Sequence, residues 1–309
     1  MEEGIGNMKR IRYLILMCCL CISGCAKSKD TTAPKLELNK KNIVVGVHEN
    51  IDYMSYVTSA NDDSDGDLKD QVTYNRIDTS HKGEQTITYC VKDQNQNETK
   101  QSLRVHVVSF YQNHIYNPQD VKAEVVTNPD DITVLVNKLH QIPQDYKPTD
   151  LQPVIDSPSR QLRKEANEAY TKFYQDAKAK GIELYTISAY REAKQQKEYW
   201  TNQVRVRGEE YASQYSAYPR RSEHELGLAI DVSYKQTGDR LNENVENSRI
   251  GQFIKSDGYK YGFILRYPKD KVAITNYGYE PWHMRYVGVE LAKELHEKQI
   301  TLEEYYGEG

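Results

Sequence analysis

Ser222-Glu223-His224-Glu225-Leu226-Gly227-Leu228-Ala229-Ile230-Asp231, answered further along by Glu280-Pro281-Trp282-His283, decides the reading of this chain. Together the two stretches hold two histidines, an aspartate and a spare glutamate. That is the inventory of a hydrolytic zinc site with three protein ligands, an open position and a general base. His224 and Asp231 are too far apart to be neighbours on one helical turn, and Gly227 favours a loop that turns into a strand. His224 is then expected on the loop and Asp231 within the strand. Leu228, Ala229, Ile230 and Val232 make the surroundings of Asp231 apolar, so its carboxylate needs a partner, and a metal supplies one. His283 is the expected third ligand, with Glu280 as the base. Pro281 pushes Glu280 into an extended conformation, which excludes the helical HExxH arrangement. Read singly, each histidine could be structural and Glu280 a surface acid; the joint pattern favours a site.

Outward from this centre the pattern is mixed. A helical period from Arg160 runs through Leu162, Ala166, Ala169, Tyr170, Phe173 and Ala177 and closes at Gly181. A strand is expected over Glu183 to Tyr190, a polar helix from Glu192 to about Arg205, and a strand over Leu228 to Ser233. A helix around Ile250 to Lys255, strands at Tyr259 to Leu265 and Trp282 to Val287, and a helix from Val289 to Lys298 follow. A last turn is capped by Thr301 and Glu304. Strict βαβ alternation is absent, so the expected class is α+β.

SEHELGLAID and EPWHMRYVG closely resemble the SxHxxGxAxD and ExWH motifs of the VanY-type zinc D-alanyl-D-alanine carboxypeptidases, which share a fold with hedgehog signalling domains. The resemblance runs from about Leu135 to the C-terminus and includes LVNK...IPQDYKPTDL and Ile187-Ser188-Ala189-Tyr190-Arg191. It implies a metallopeptidase that trims D-alanine from peptidoglycan stem peptides, with zinc on His224, Asp231 and His283 and Glu280 as base. Arg191 matches the family arginine that faces the substrate carboxylate or the developing oxyanion. Gln196 matches a glutamine near the substrate, and Ser222 the serine that opens the zinc motif. Ala189 stands where the family usually has glycine, which could narrow the backbone approach beside Arg191.

The N-terminal part carries different signals. Met8 to Cys25 has a basic start at Lys9, Arg10 and Arg12, an apolar run from Tyr13 to Ile22, and small residues before a cysteine. This is a secretory signal too short to span a bilayer permanently. Its ending Ile22-Ser23-Gly24-Cys25 resembles a bacterial lipobox, with lipid on Cys25 and translation starting at Met8. The expected organisation is a lipoprotein signal over 1–25, a tether over 26–33, a small all-β immunoglobulin-like sandwich over 34–109, a linker over 110–129 and a zinc carboxypeptidase domain of hedgehog/DD-peptidase-like α+β fold over 130–309. The sandwich is read from strand-like runs at Asn42 to Val47, Gln85 to Val91 and Ser102 to Val108, and from a resemblance to bacterial surface immunoglobulin-like modules carried by segments such as Asp65-Gly66-Asp67-Leu68 and Tyr89-Cys90-Val91-Lys92-Asp93. The acidic loop Asn61-Asp62-Asp63-Ser64-Asp65-Gly66 matches the first half of an EF-hand loop. Val72 stands where the bidentate glutamate is required, so the reading is a solvated turn.

Composition narrows the function classes. A formal charge of -4 with acids and bases interspersed gives no basic face, so nucleic acid is not an expected partner. Cys18, Cys19, Cys21 and Cys25 fall in the N-terminal stretch and Cys90 alone lies in a folded region, which excludes a disulfide framework. The expectation is therefore a lipid-anchored zinc carboxypeptidase on the outer face of a bacterial membrane, acting on stem peptides with D,D or L,D specificity. A cross-link endopeptidase and a non-catalytic wall-binding lipoprotein are the competing readings, and the presence of Glu280 argues against the second.

Overall fold

Four short strands, Tyr185–Ser188, Ala229–Ser233, His283–Tyr286 and Phe263–Leu265, hydrogen-bond in that order into an antiparallel sheet. The protein is seen here as a computed structural model that describes residues 30–109, 115–234 and 241–308. The expected signal and its Cys25 lie outside the described residues. Among those residues no helix is long and apolar enough to cross a membrane.

One face of the sheet carries Ile230, Val232 and Met284 into the main core, and the helix Lys164–Ala179 covers it with Ala166, Tyr170, Phe173 and Ala177. These four recur at helical spacing, so one stripe of the helix is buried while its lysines and glutamates stay wet. The register pairs Asp231 directly with His283 and Ser188 with Asp231. Directly opposed residues point to the same face, so pairing alone brings the aspartate beside the second histidine.

The helical period from Arg160 is corrected at its start. Ser157–Arg163 is a strand that pairs antiparallel with Leu151–Val154, matching Gln152 to Leu162, and the helix begins only at Lys164. Leu162 fits the helical stripe by spacing, but cross-strand pairing claims it. The strand expected over Tyr259 to Leu265 is half a 3-10 turn, Gly258–Tyr261, because Gly262 at φ 84° breaks the chain before Phe263–Leu265. Helices Ala193–Arg207, Arg249–Asp257 and Val289–Lys298 follow the pattern, while Glu209–Tyr215 adds a helix that the polar sequence did not announce. Thr301 and Glu304 form the expected capping box.

Residues 35–108 form a three-stranded sheet (Lys35–Leu38, Val57–Asp62, Gly66–Asp67) and a four-stranded sheet (Asn42–Gly46, Glu98–Val108, Gly83–Lys92, Thr73–Tyr74). Between them lies a core separate from the main one, with Ile87, Tyr89 and Val91 buried at alternate positions of one strand. Cys90, on the opposite face, is a half-buried free thiol that donates to Glu98 Oε1.

Candidate metal and catalytic centre

His224 sits on a 3-10 turn, Glu223–Leu226, built by a reciprocal cap. Ser222 Oγ accepts from the turn's amides, including His224 N, and the Glu225 carboxylate answers the Ser222 amide. Gly227, at φ 68°, then turns the chain into Ala229–Ser233. The opening serine is therefore a cap, and its hydroxyl also lies at the wall of the cleft.

The three expected ligands come together. His224 Nε2 lies 3.2 Å from Asp231 Oδ2, and His283 Nδ1 lies 3.0 Å from Asp231 Oδ1. The imidazoles stand edge to face with centroids 5.0 Å apart, and all three residues are buried. His224 Nδ1 donates to Ala189 O at 2.7 Å, so its Nε2 keeps a lone pair. His283 Nε2 donates to Glu223 Oε2 at 3.2 Å, which leaves the lone pair on Nδ1. The carbonyl of Ala189, not its side chain, is what reaches the site.

Whether these residues fit a metal can be judged from Asp231. Its Oδ1 is buried and has no hydrogen-bond partner, although His283 Nδ1 is 3.0 Å away. A cation bound by both atoms would account for such a contact. The spacings of 3.0 and 3.2 Å are near the roughly 3.3 Å that separates ligand atoms bound about 2.0–2.1 Å from a tetrahedral ion. The charge balance agrees. Burial disfavours a charged His283, yet Asp231 and Glu223 outweigh it and push the ring up to about 10; the environment asks for a cation at Nδ1, as a metal would be. The donor set of two imidazoles and one carboxylate suits zinc.

Glu223 is the functional residue that sequence reasoning missed. It is fully buried and takes Arg266 Nε at 2.7 Å and Arg285 NH1 at 2.8 Å as well as the histidine. Burial works against its charge, but Arg266 and Arg285 hold its carboxyl far below the usual range. Metal-binding histidines commonly donate to such a carboxylate, which fixes tautomer and ring orientation. Nothing in the spacing separates Glu223 from Glu225. The alternation of His283 and Arg285 on one strand face was the available signal.

Glu280 stands beside the cluster, Oε2 3.7 Å from His283 Nδ1. Burial pushes its carboxyl up; His283 and Arg191 oppose the shift, Asp231 and Glu223 add to it, and the balance is about 8. Arg191 also lines the cleft, donating from NH2 to Ser188 Oγ at 2.8 Å and from NH1 to Gln196 Oε1 at 2.6 Å, with its guanidinium 4.4 Å from the Tyr199 ring centroid. Gln196, expected near the substrate, is fully buried beside Arg191 and anchored through Nε2 to Ala217 O. The cleft has a volume of about 830 Å³, with His224, Asp231, His283 and Glu280 in its wall and Tyr199, Tyr211 and Tyr215 among its rings.

A buried His-Asp-His cluster that opens into a cleft, with a carboxylate beside it and a guanidinium in the same cleft, defines a metal-dependent hydrolase centre. Comparison with known proteins narrows the class. The family model for VanY, D-alanyl-D-alanine carboxypeptidase, matches residues 159–289. A putative carboxypeptidase of Bacillus subtilis, YodJ, is 43% identical over 190 residues, 59% of this chain and 70% of that protein. The bifunctional D-Ala-D-Ala dipeptidase and carboxypeptidase VanXYC of Enterococcus gallinarum is 34% identical over 178 residues, 56% of this chain and 92% of the relative. Among solved structures, the LdcB LD-carboxypeptidase aligns with TM-score 0.55 at 41% identity, covering 60% of this chain and 90% of its own. VanYB in complex with D-alanine-D-alanine aligns with TM-score 0.50 at 30% identity, covering 56% and 96%. The chain belongs to the VanY D-alanyl-D-alanine carboxypeptidase family, whose cofactor is zinc.

Proposed function

We propose that the protein is a zinc carboxypeptidase that removes the C-terminal D-alanine from peptidoglycan stem peptides. The observation that carries this reading is the convergence of the His224, Asp231 and His283 ligand atoms at a cleft shared with Glu280 and Arg191. His224 Nε2, Asp231 and His283 Nδ1 would hold the metal, which would supply Lewis-acid chemistry there. Arg191 takes the terminal carboxylate. Two of its N–H donors are held by Ser188 and Gln196, and a guanidinium has five, so donors remain for a bidentate grip. Gln196 and Ser188 fix the plane of that fork, and the ring of Tyr199 backs it. Glu280 accepts the proton of the attacking water at its carboxylate and passes it to the leaving amine nitrogen of D-alanine.

L,D cleavage of a tetrapeptide stem is the primary linkage reading, supported by the higher identity to the LD-carboxypeptidase than to VanYB. We further propose a lipid anchor at Cys25 on the outer face of a bacterial membrane, and an immunoglobulin-like spacer formed by the two sheets of residues 35–108. The lipobox order of residues supports the first, and the separate core supports the second.

The test is to incubate the purified protein with tetrapeptide and pentapeptide stems, with and without a chelator. D-alanine release from the tetrapeptide that stops on chelation is expected. Release from neither stem, or release indifferent to chelation, overturns the reading; release from the pentapeptide alone overturns the linkage only. Glu280→Gln should keep zinc and lose turnover by about 10²–10⁴-fold.

A further inference from the structure

Outside the catalytic cleft, the carboxylates of Asp30, Asp62 and Asp93 meet at one end of the N-terminal sheets, with one oxygen of each within 4.8 Å of the others. Asp30 lies ahead of the first strand, Asp62 closes Val57–Asp62, and Asp93 follows Gly83–Lys92. Asp62 and Asp93 are 7% and 2% exposed. Among the described residues no lysine, arginine or histidine pairs with any of the three.

The local hydrogen bonding leaves acceptors in excess. Asp62 Oδ1 is used by the amides of Ser64 and Asp65, but its Oδ2 is buried without a partner. Asp30 repeats this, Oδ1 taking the Thr32 amide while Oδ2 is buried and unpartnered. Asp93 is met by Asn97, from its backbone amide at Oδ1 and its side-chain nitrogen at Oδ2. That same side-chain nitrogen also faces the carbonyls of Asp30 and Thr32, each at 3.1 Å, so its two hydrogens serve three acceptors. Carboxylates gathered this closely repel, and buried oxygens without donors cost free energy unless a cation joins them.

We propose that this cluster is a calcium site. The donors are all hard oxygens, without histidine or cysteine, which disfavours zinc. An oxygen spacing of up to 4.8 Å spans ligands on opposite sides of an ion held at about 2.4 Å, within the range for calcium. The irregular contribution of three separate segments suits its flexible coordination better than the strict octahedron of magnesium. This is not an EF-hand: Asp62 takes part, but its neighbour Asp63 does not, and the other ligands come from distant chain. The ion ties the segment at Asp30 to two turns of the sheets.

The test uses the whole chain, stripped of metal on a chelating resin and reloaded with one equivalent of zinc. Radiocalcium binding is read by equilibrium dialysis up to about 10 mM, an upper bound for weak extracellular-type sites, and unfolding is read by calorimetry with magnesium as the control cation. The expected result is one bound calcium per chain and, at ten times Kd, an unfolding midpoint for the N-terminal sheets raised by about 5 °C or more. Asp62→Asn, which can still accept the Ser64 and Asp65 amides, should weaken binding at least tenfold, and Asp93→Asn should do likewise. Absence of bound calcium on the wild-type chain at the highest concentration overturns the proposal, whether or not the variants fold. Binding equally tight in both variants overturns it too.

Discussion

Replacing Glu223 by glutamine tests the idea that a residue outside the metal cluster decides whether the cluster can form. The wild-type carboxylate accepts from Arg266, Arg285 and His283 Nε2. Glutamine has one acceptor oxygen, which the two arginines would claim, and its amide would present hydrogens to His283 Nε2. Two donors cannot face each other, so the ring must move its proton to Nδ1 or swing away; either removes the lone pair aimed at the metal. Loss of such a carboxylate–histidine bond lowers metal affinity by about 10–100-fold, equivalent to about 1.4–2.7 kcal/mol. The fold pays separately. Removing one partner of a buried ion pair costs roughly 3–5 kcal/mol, and the lower end applies because Arg266 keeps two bonds to Glu303 and Arg285 keeps the carbonyls of Ile132, Val134 and Tyr286. Zinc affinity is measured by competition against a fluorescent chelator, with Glu225→Gln as control, since the Glu225 carboxylate serves the backbone amides of Arg220 and Ser222. Glu223→Gln with zinc affinity within twofold of wild type, or Glu225→Gln with an equal loss, would refute the tautomer argument.

Gly227→Ala should lower the thermal midpoint through a cost of about 1–2 kcal/mol for a left-handed backbone, since φ is 68° and a Cβ there would lie 3.0 Å from Leu151 Cδ2; an unchanged midpoint counts against that turn. Arg191→Lys keeps the charge but loses the fork, so kcat/KM on stem peptides should fall roughly ten- to a hundredfold, the size of one or two charge-assisted hydrogen bonds; an unchanged value removes Arg191 from substrate binding. Glu308 is pushed up to about 7 by burial, with Glu303 adding to it. A carboxyl raised in the fold contributes stability that is fully present below its unfolded value, about 4.3, and lost as pH rises through about 7. Glu308→Gln should therefore raise the midpoint at pH 8 relative to wild type and leave it unchanged near pH 4. Glu303→Gln should weaken zinc less than Glu223→Gln does, and the double variant should depart from additivity by about 0.5–3 kcal/mol, because both acids share Arg266; additive losses would mean that the two act separately.

The parts of the fold that could be read from the chain were those where local pattern and tertiary environment agree. Val289–Lys298 follows its apolar stripe, and Ala229–Ser233 is an apolar run between Gly227 and polar chain, so each forms where expected. Arg160 to Arg163 went astray because a leucine that fits a helical period fits a strand pair as well, and only the partner Leu151–Val154 decides between them. His224, Asp231, His283, Glu280 and Arg191 were legible because their residue types have no bland use in that combination. Gln196 was legible by motif, but its bonds to Arg191 and Ala217 were not, since they depend on chain brought in by the fold. Glu223 was hidden because a buried acid among solvent-type residues looks like any surface acid until its two arginines arrive from Arg266 and Arg285.

Those arginines explain why the centre is backed by charge instead of hydrocarbon. A buried chain of Glu303, Arg266, Glu223 and Arg285 is no bargain for stability, because desolvation cancels much of what the pairs gain and well-packed apolar side chains often do as well. What hydrocarbon cannot provide is a directional acceptor at His283 Nε2. An isolated carboxylate could provide it, but burial would raise its proton affinity and it would compete with imidazole for the proton. Two fixed guanidinium groups remove that option by holding Glu223 ionised. Each guanidinium is in turn oriented by chain from elsewhere: Arg266 by both oxygens of Glu303 in the C-terminal helix, Arg285 by carbonyls of the segment that precedes the catalytic sheet. The direction of one lone pair on one histidine thus depends on elements that never touch the cleft, and the metal site is a property of how the whole catalytic region closes.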